Sequence, residues 1–151
     1  MKITLSKLEK LGACDDAMEW FNQTYPNGTE LNRETLDSVP DKKWIVWLGS
    51  ALNPDLKWNW VGIAFRYAAL NNPTLTAYAD NVNQHNVQAA SSAASAEVTD
   101  TANTVYAACY FPAPYAAALL AADTAVYAAA NGDNAVWNEM VEISIDYLLR
   151  I

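Results

Sequence analysis

The side chains able to do chemistry are few, and carboxylates dominate them. The 151-residue chain has one histidine, His85, and two cysteines, Cys14 and Cys109. A histidine-assisted nucleophile would have to use His85. That residue lies in the polar run Asn83-Gln84-His85-Asn86, inside a stretch expected to be helical. A partly exposed surface histidine is the simpler reading. The cysteine spacing matches no zinc or redox motif and fits reduced, buried thiols. No H-E-x-x-H, C-x-x-C, G-x-x-x-x-G-K-[ST] or G-x-G-x-x-G occurs, and five glycines leave little material for a phosphate-cradling loop. No catalytic residue is nominated, and neither a metal nor a cofactor is expected.

Two constellations remain. Glu139, Glu142 and Asp146 stand at i, i+3 and i+7 and share one face of an expected last helix. Paired carboxylates can do acid–base work or hold a hard cation when buried. On a face opposite the apolar residues they are either solvated or turned to a partner. The second constellation is aromatic and basic: Trp44, Trp47, Trp58, Trp60, Arg66, Lys42, Lys43 and Lys57. Indoles beside cations suit a planar anion such as a nucleotide. In that reading Trp58, Trp60, Arg66 and Lys57 line a pocket. In the competing reading Trp44, Trp47 and Trp60 are core and the lysines are surface. Trp58 falls off the stripe through Leu56, Trp60 and Ile63.

Helix signals place these residues. Ser6-Lys7-Leu8-Glu9 has capping-box spacing, with Gly12 closing a helix that ends near Leu11. A second helix starts near Asp15, with Cys14, Met18, Phe21 and Tyr25 on one face. Pro26-Asn27-Gly28 marks a turn. A short helix follows at 33–38, and Pro40-Asp41 opens another with Trp44, Trp47, Leu48 and Ala51 as its apolar stripe. Asn53-Pro54 restarts helix, and Leu56, Trp60, Ile63, Ala64 and Tyr67 share a face. Asn72-Pro73 repeats the device.

Beyond Pro73 alanine supplies 20 of the 54 residues from Ala77 to Ala130, which favours helices that pack closely. Val105-Tyr106-Ala107-Ala108 returns 21 residues later as Val126-Tyr127-Ala128-Ala129, a hint of a repeated helical unit. Pro112-Ala113-Pro114 and Asn131-Gly132 interrupt the array. Asp133 or Asn134 caps a last helix with Val136, Met140, Ile143 and Tyr147 as its core face. Strand patterns are almost absent. The expected fold is all-α: one domain over 1–151, a bundle or array of about six to eight helices. It has a Trp-rich part (1–72) and an Ala-rich acidic part (73–151).

Charge divides along the same line. Residues 1–66 carry eight of the nine Lys and Arg against nine acids; residues 67–151 carry eight acids and one base, Arg150. The whole is −8. Such a chain repels nucleic acid and anionic membranes and suits a basic partner, or it uses the acids to keep an alanine-rich surface soluble. The start lacks a basic region, apolar run and cleavage site, so no secretory signal is expected, and no stretch reads as a membrane span. The expected location is the cytoplasm.

Leu11-Gly12-Ala13-Cys14, Met18-Glu19-Trp20-Phe21 and Asp41-Lys42-Lys43-Trp44 with Trp47-Leu48 resemble the opening of a group of alanine-rich phage and bacterial proteins labelled immunity-protein-like. The ending Ile145-Asp146-Tyr147-Leu148-Leu149-Arg150-Ile151 is loosely similar to theirs. The resemblance implies a helical, phage-encoded accessory protein acting by binding, and it carries no catalytic residues. Three expectations follow. One is a binding protein that neutralises a host defence factor, meeting its basic surface through Glu139, Glu142 and Asp146. Another is a nucleotide-signal sponge, and the third an oligomeric scaffold, a homo-oligomer whose alanine faces pack subunits together. A carboxylate enzyme has the least behind it.

Overall fold

The computed structural model describes residues 1–56, 58–60, 62–63, 83 and 133–151. These are mostly helical. The alanine-rich array of 77–130, its proline break and its repeated motif, His85, Cys109, Lys57, Arg66, Ala64 and Tyr67 lie outside the described residues.

The chain opens with a two-residue strand, β1 (Lys2–Ile3), and helix α1 (Leu5–Leu11). Thr4, not Ser6, caps α1: its hydroxyl oxygen accepts the Lys7 N–H at 3.3 Å. The helix therefore begins before the expected capping box, and Ser6 and Glu9 lie inside it. Gly12 closes α1 in the left-handed conformation, as expected.

Helix α2 (Asp15–Thr24) starts where expected, with Asp15 and Asp16 placing negative charge in its first turn. Its buried residues are Ala17 and Phe21, with Trp20 and Tyr25 packed at their edge. Cys14 is exposed, which corrects the expected buried thiol. Cys14 is the N-cap of α2, and the inward face of the helix runs instead through Ala17 and Phe21.

The turn at Pro26-Asn27-Gly28 closes through Gly28 N–H to Tyr25 O at 2.8 Å. It returns the chain to β2 (Thr29–Glu30), which pairs antiparallel with β1, Ile3 opposite Thr29. A strand pair this short has no two-residue periodicity to read. Gly28 has φ 76°, and a Cβ there would meet the Ile3 carbonyl oxygen at 2.6 Å, so only glycine fits the close approach. Helix α3 (Arg33–Asp37) is capped by Asn32, whose side-chain oxygen accepts the Thr35 N–H at 2.8 Å.

Helix α4 (Lys42–Leu52) begins at Asp41, whose carboxylate accepts the Lys43 N–H at 2.9 Å. Its buried positions are Ile45, Val46, Leu48, Gly49 and Ser50. The expected stripe through Trp44, Trp47 and Ala51 is half-buried, and only its Leu48 is core. The difference has a physical cause: α4 is covered on two sides, and one side uses Gly49 and Ser50, which give no hydrophobic signal. Asn53 ends α4, and its side chain accepts the Asp55 N–H at 3.1 Å in a turn through Pro54 and Asp55. Helix therefore resumes at Leu56 and not at Pro54 as expected; Leu56, Trp60 and Ile63 are buried.

The second side of α4 is covered by α5 (Asp133–Leu148). Gly49 makes the crossing close: a Cβ there would lie 3.1 Å from the Ser144 Cβ and 3.3 Å from a Leu56 methyl. The buried side of α5 is Met140, Val141, Ser144, Ile145 and Leu148. Ile143 and Tyr147, expected as core, are half-buried, so the inward face is turned by about one residue. One continuous core runs from Ile3 through Leu36, Ile45 and Trp60 to Met140 and Leu148, uniting both ends of the chain.

The buried polar groups of this core are satisfied. The Trp60 indole N–H donates to Ser50 Oγ at 3.0 Å, and Ser144 Oγ donates to the Met140 carbonyl at 2.9 Å. A lone buried donor costs roughly 1–3 kcal/mol, so these pairings permit polar atoms at a tight helix crossing.

Candidate functional site

The acidic stripe falls on the outer side of α5. Glu142 and Asp146 are exposed, and Glu139 is half-exposed. Glu142 is already engaged within the chain. Both its oxygens accept from Arg33 of α3, at 3.0 Å each, in a bidentate pair. Arg33 also reaches Asp37 at 3.1 Å. The Glu142 hydrogen bond, followed by the charges of Asp37 and Glu142, holds the guanidinium above its ordinary pKa. Asp146 has only a long pairing, 3.8 Å, with exposed Arg150. The three carboxylates therefore share a face but differ in role: Glu142 ties α3 to α5, and Asp146 faces solvent.

Among the described residues no three His, Cys, Asp or Glu side chains are grouped as a metal would require. No described helix is long and apolar enough to cross a membrane.

The tryptophans separate into two kinds. Trp60 is fully buried with its N–H on Ser50, so it belongs to the core and lines no solvent-open ligand pocket. Trp58 is half-buried against the core. Trp44 and Trp47 occupy the boundary. On one side they line an apolar cavity of about 60 Å³ among Leu8, Phe21, Leu36 and Ile45. On the other they line a surface groove of about 350 Å³. Gly12, Cys14 and Ala17 form the opposite wall, and Asp41 and Lys43 complete it.

Local structure fixes this groove. The α1–α2 junction at Gly12 to Cys14 brings one wall. The first turns of α4, capped by Asp41, set Trp44 and Trp47 three residues apart on the other. Trp20 braces Trp44, with ring centroids 6.1 Å apart. The lysines are not idle surface groups. Lys42 Nζ donates to the Asp37 carbonyl at 2.8 Å and the Leu36 carbonyl at 3.3 Å, closing the end of α3. Lys43 Nζ lies 5.2 Å from the ring centroid of Trp137 on α5.

Of the aromatic and basic constellation, Trp44, Trp47 and Lys43 meet at this groove. Of the nominated pocket Trp58, Trp60, Arg66 and Lys57, the two basic residues lie outside the described residues. The partners that complete the groove, Cys14 and Asp41, come from distant helix starts, and no spacing in the sequence joins them. No family model, curated protein or solved structure matches the chain.

Proposed function

We propose that the protein is a non-catalytic binding protein that engages a basic surface on a partner protein. The observation that carries this reading is the charge: −8 overall, with one base among the last 85 residues, and Asp146 and Glu142 exposed on α5. A surplus of this sign raises the encounter rate with cationic surfaces and opposes nucleic acid and anionic lipid. Within the reading, 1–151 is one helical domain of six to eight helices, and the alanine-rich part of 73–151 acts as scaffold. The resemblance noted in the sequence adds the setting: a phage-encoded accessory protein in the host cytoplasm, neutralising a defence factor.

The test is capture of a partner from host lysate at low and high salt, with wild type and the Glu139→Gln/Asp146→Asn double variant. Charge-driven association predicts a defined species retained by wild type at low salt, weakened by the variant and released by high salt. A partner that binds equally well at both salts and to both proteins would overturn the reading.

A further inference from the structure

We propose that the groove between the α1–α2 junction and the start of α4 receives an arginine side chain of the partner, its guanidinium stacked on Trp44 and Trp47 and paired with the Asp41 carboxylate. The inference rests on the preceding reading of a basic partner and names the group recognised.

Size comes first. At about 350 Å³ the groove is at the small end of ligand pockets, room for one side chain and not for a folded element. The α4 side of the groove is formed by two indoles, whose faces attract cations, and guanidinium stacks on them better than ammonium does. The same neighbourhood already shows the interaction: the Lys43 ammonium sits 5.2 Å from the Trp137 ring centre. Asp41 supplies the counter-charge. One of its oxygens accepts the Lys43 backbone N–H, and a carboxylate has lone pairs for further donors. The lining carries one acid, Asp41, and one base, Lys43, whose ammonium is drawn over the Trp137 ring. Among the described residues the Asp41 carboxylate forms no ion pair, so it is the charge left to meet an incoming cation. That free carboxylate beside two indoles favours a cation over an anion in the groove.

The probe is a tetra-arginine peptide titrated into the full chain and followed by tryptophan fluorescence, with tetra-lysine as comparison. Asp41→Asn is the main variant, because asparagine caps a helix about as well as aspartate and removes only the charge. It is expected to weaken tetra-arginine binding by about tenfold, the scale of one desolvated cation contact. Asp146→Asn is expected to change it by less than about twofold, the scale of one exposed charge. Lys43→Gln keeps the backbone N–H that Asp41 caps and removes a like charge, so it should tighten binding. Equal binding of the Asp41→Asn variant overturns the proposal, as does equally tight and equally Asp41-dependent binding of tetra-lysine. Weaker binding by Lys43→Gln overturns it in favour of an anionic occupant. Loss confined to Asp146→Asn overturns the groove and leaves the acidic-face reading standing. Loss of salt-sensitive partner capture with the Asp41 effect intact overturns the acidic face instead.

Discussion

The two sides of α5 use the same helix for opposite ends. Its inner side, Met140, Val141, Ser144, Ile145 and Leu148, is sealed against α4 with the small residues Gly49 and Ser144 at the closest point. Its outer side carries Glu139, Glu142 and Asp146, where Glu142 pairs with Arg33 and Asp146 lies near Arg150. On the inner side every atom displaced from water counts, and shape decides the energy. On the outer side charge decides, salt screens it, and the fold tolerates exchange. The difference teaches where stability ends and binding begins on one sixteen-residue element.

Substitutions can break or sharpen that contrast. The largest effect is expected from Met140→Ala or Ile145→Ala, each leaving a cavity in the core at a cost of about 2–5 kcal/mol in denaturant unfolding. Gly49→Ala comes next. Its Cβ meets the Ser144 Cβ, which is fixed to the α5 backbone, so the helices must part slightly, at roughly 1–3 kcal/mol. Trp60→Phe keeps an aromatic ring in the core but takes the donor from Ser50, for about 1–3 kcal/mol by the same measurement. A core in which these variants unfold like wild type would have no tight α4–α5 crossing.

Glu142→Gln sits at the other extreme. It breaks the bidentate pair with Arg33 between two exposed side chains, so the unfolding midpoint should move less than in any core variant. Added salt should erase what difference remains. The arginine does not make this pair pH-sensitive near neutrality. Its pKa is raised, so its contribution is complete below the unfolded value and is lost only as pH rises through the folded one, in strong alkali. A large, salt-resistant loss in Glu142→Gln would move this residue from the solvated side of the comparison to the structural one.

Much of the fold was legible at the helix starts. Asp41 caps α4 where Pro40-Asp41 predicts, and Gly12 and Gly28 close what they should, while Thr4 takes the place expected of Ser6 at α1. Local chemistry suffices there, because a cap is made within four residues. The inward faces of α2, α4 and α5 were less legible. Periodicity marks large apolar residues as core, yet the α4–α5 contact is made by glycine and serine while Trp44 and Trp47 stay at the rim. The strand pair β1–β2 was invisible for want of length. The groove was half legible: its indoles stood out, but Cys14 and Asp41 join them only through tertiary folding.

The division of labour on α5 is tested most directly by one paired measurement on Asp146→Asn. Partner affinity at low salt and the unfolding midpoint are determined on the same sample. The account predicts that affinity falls by the scale of one exposed charge, while the midpoint stays within that of wild type. An unchanged affinity, or a fall matched by loss of the folded state, would contradict it.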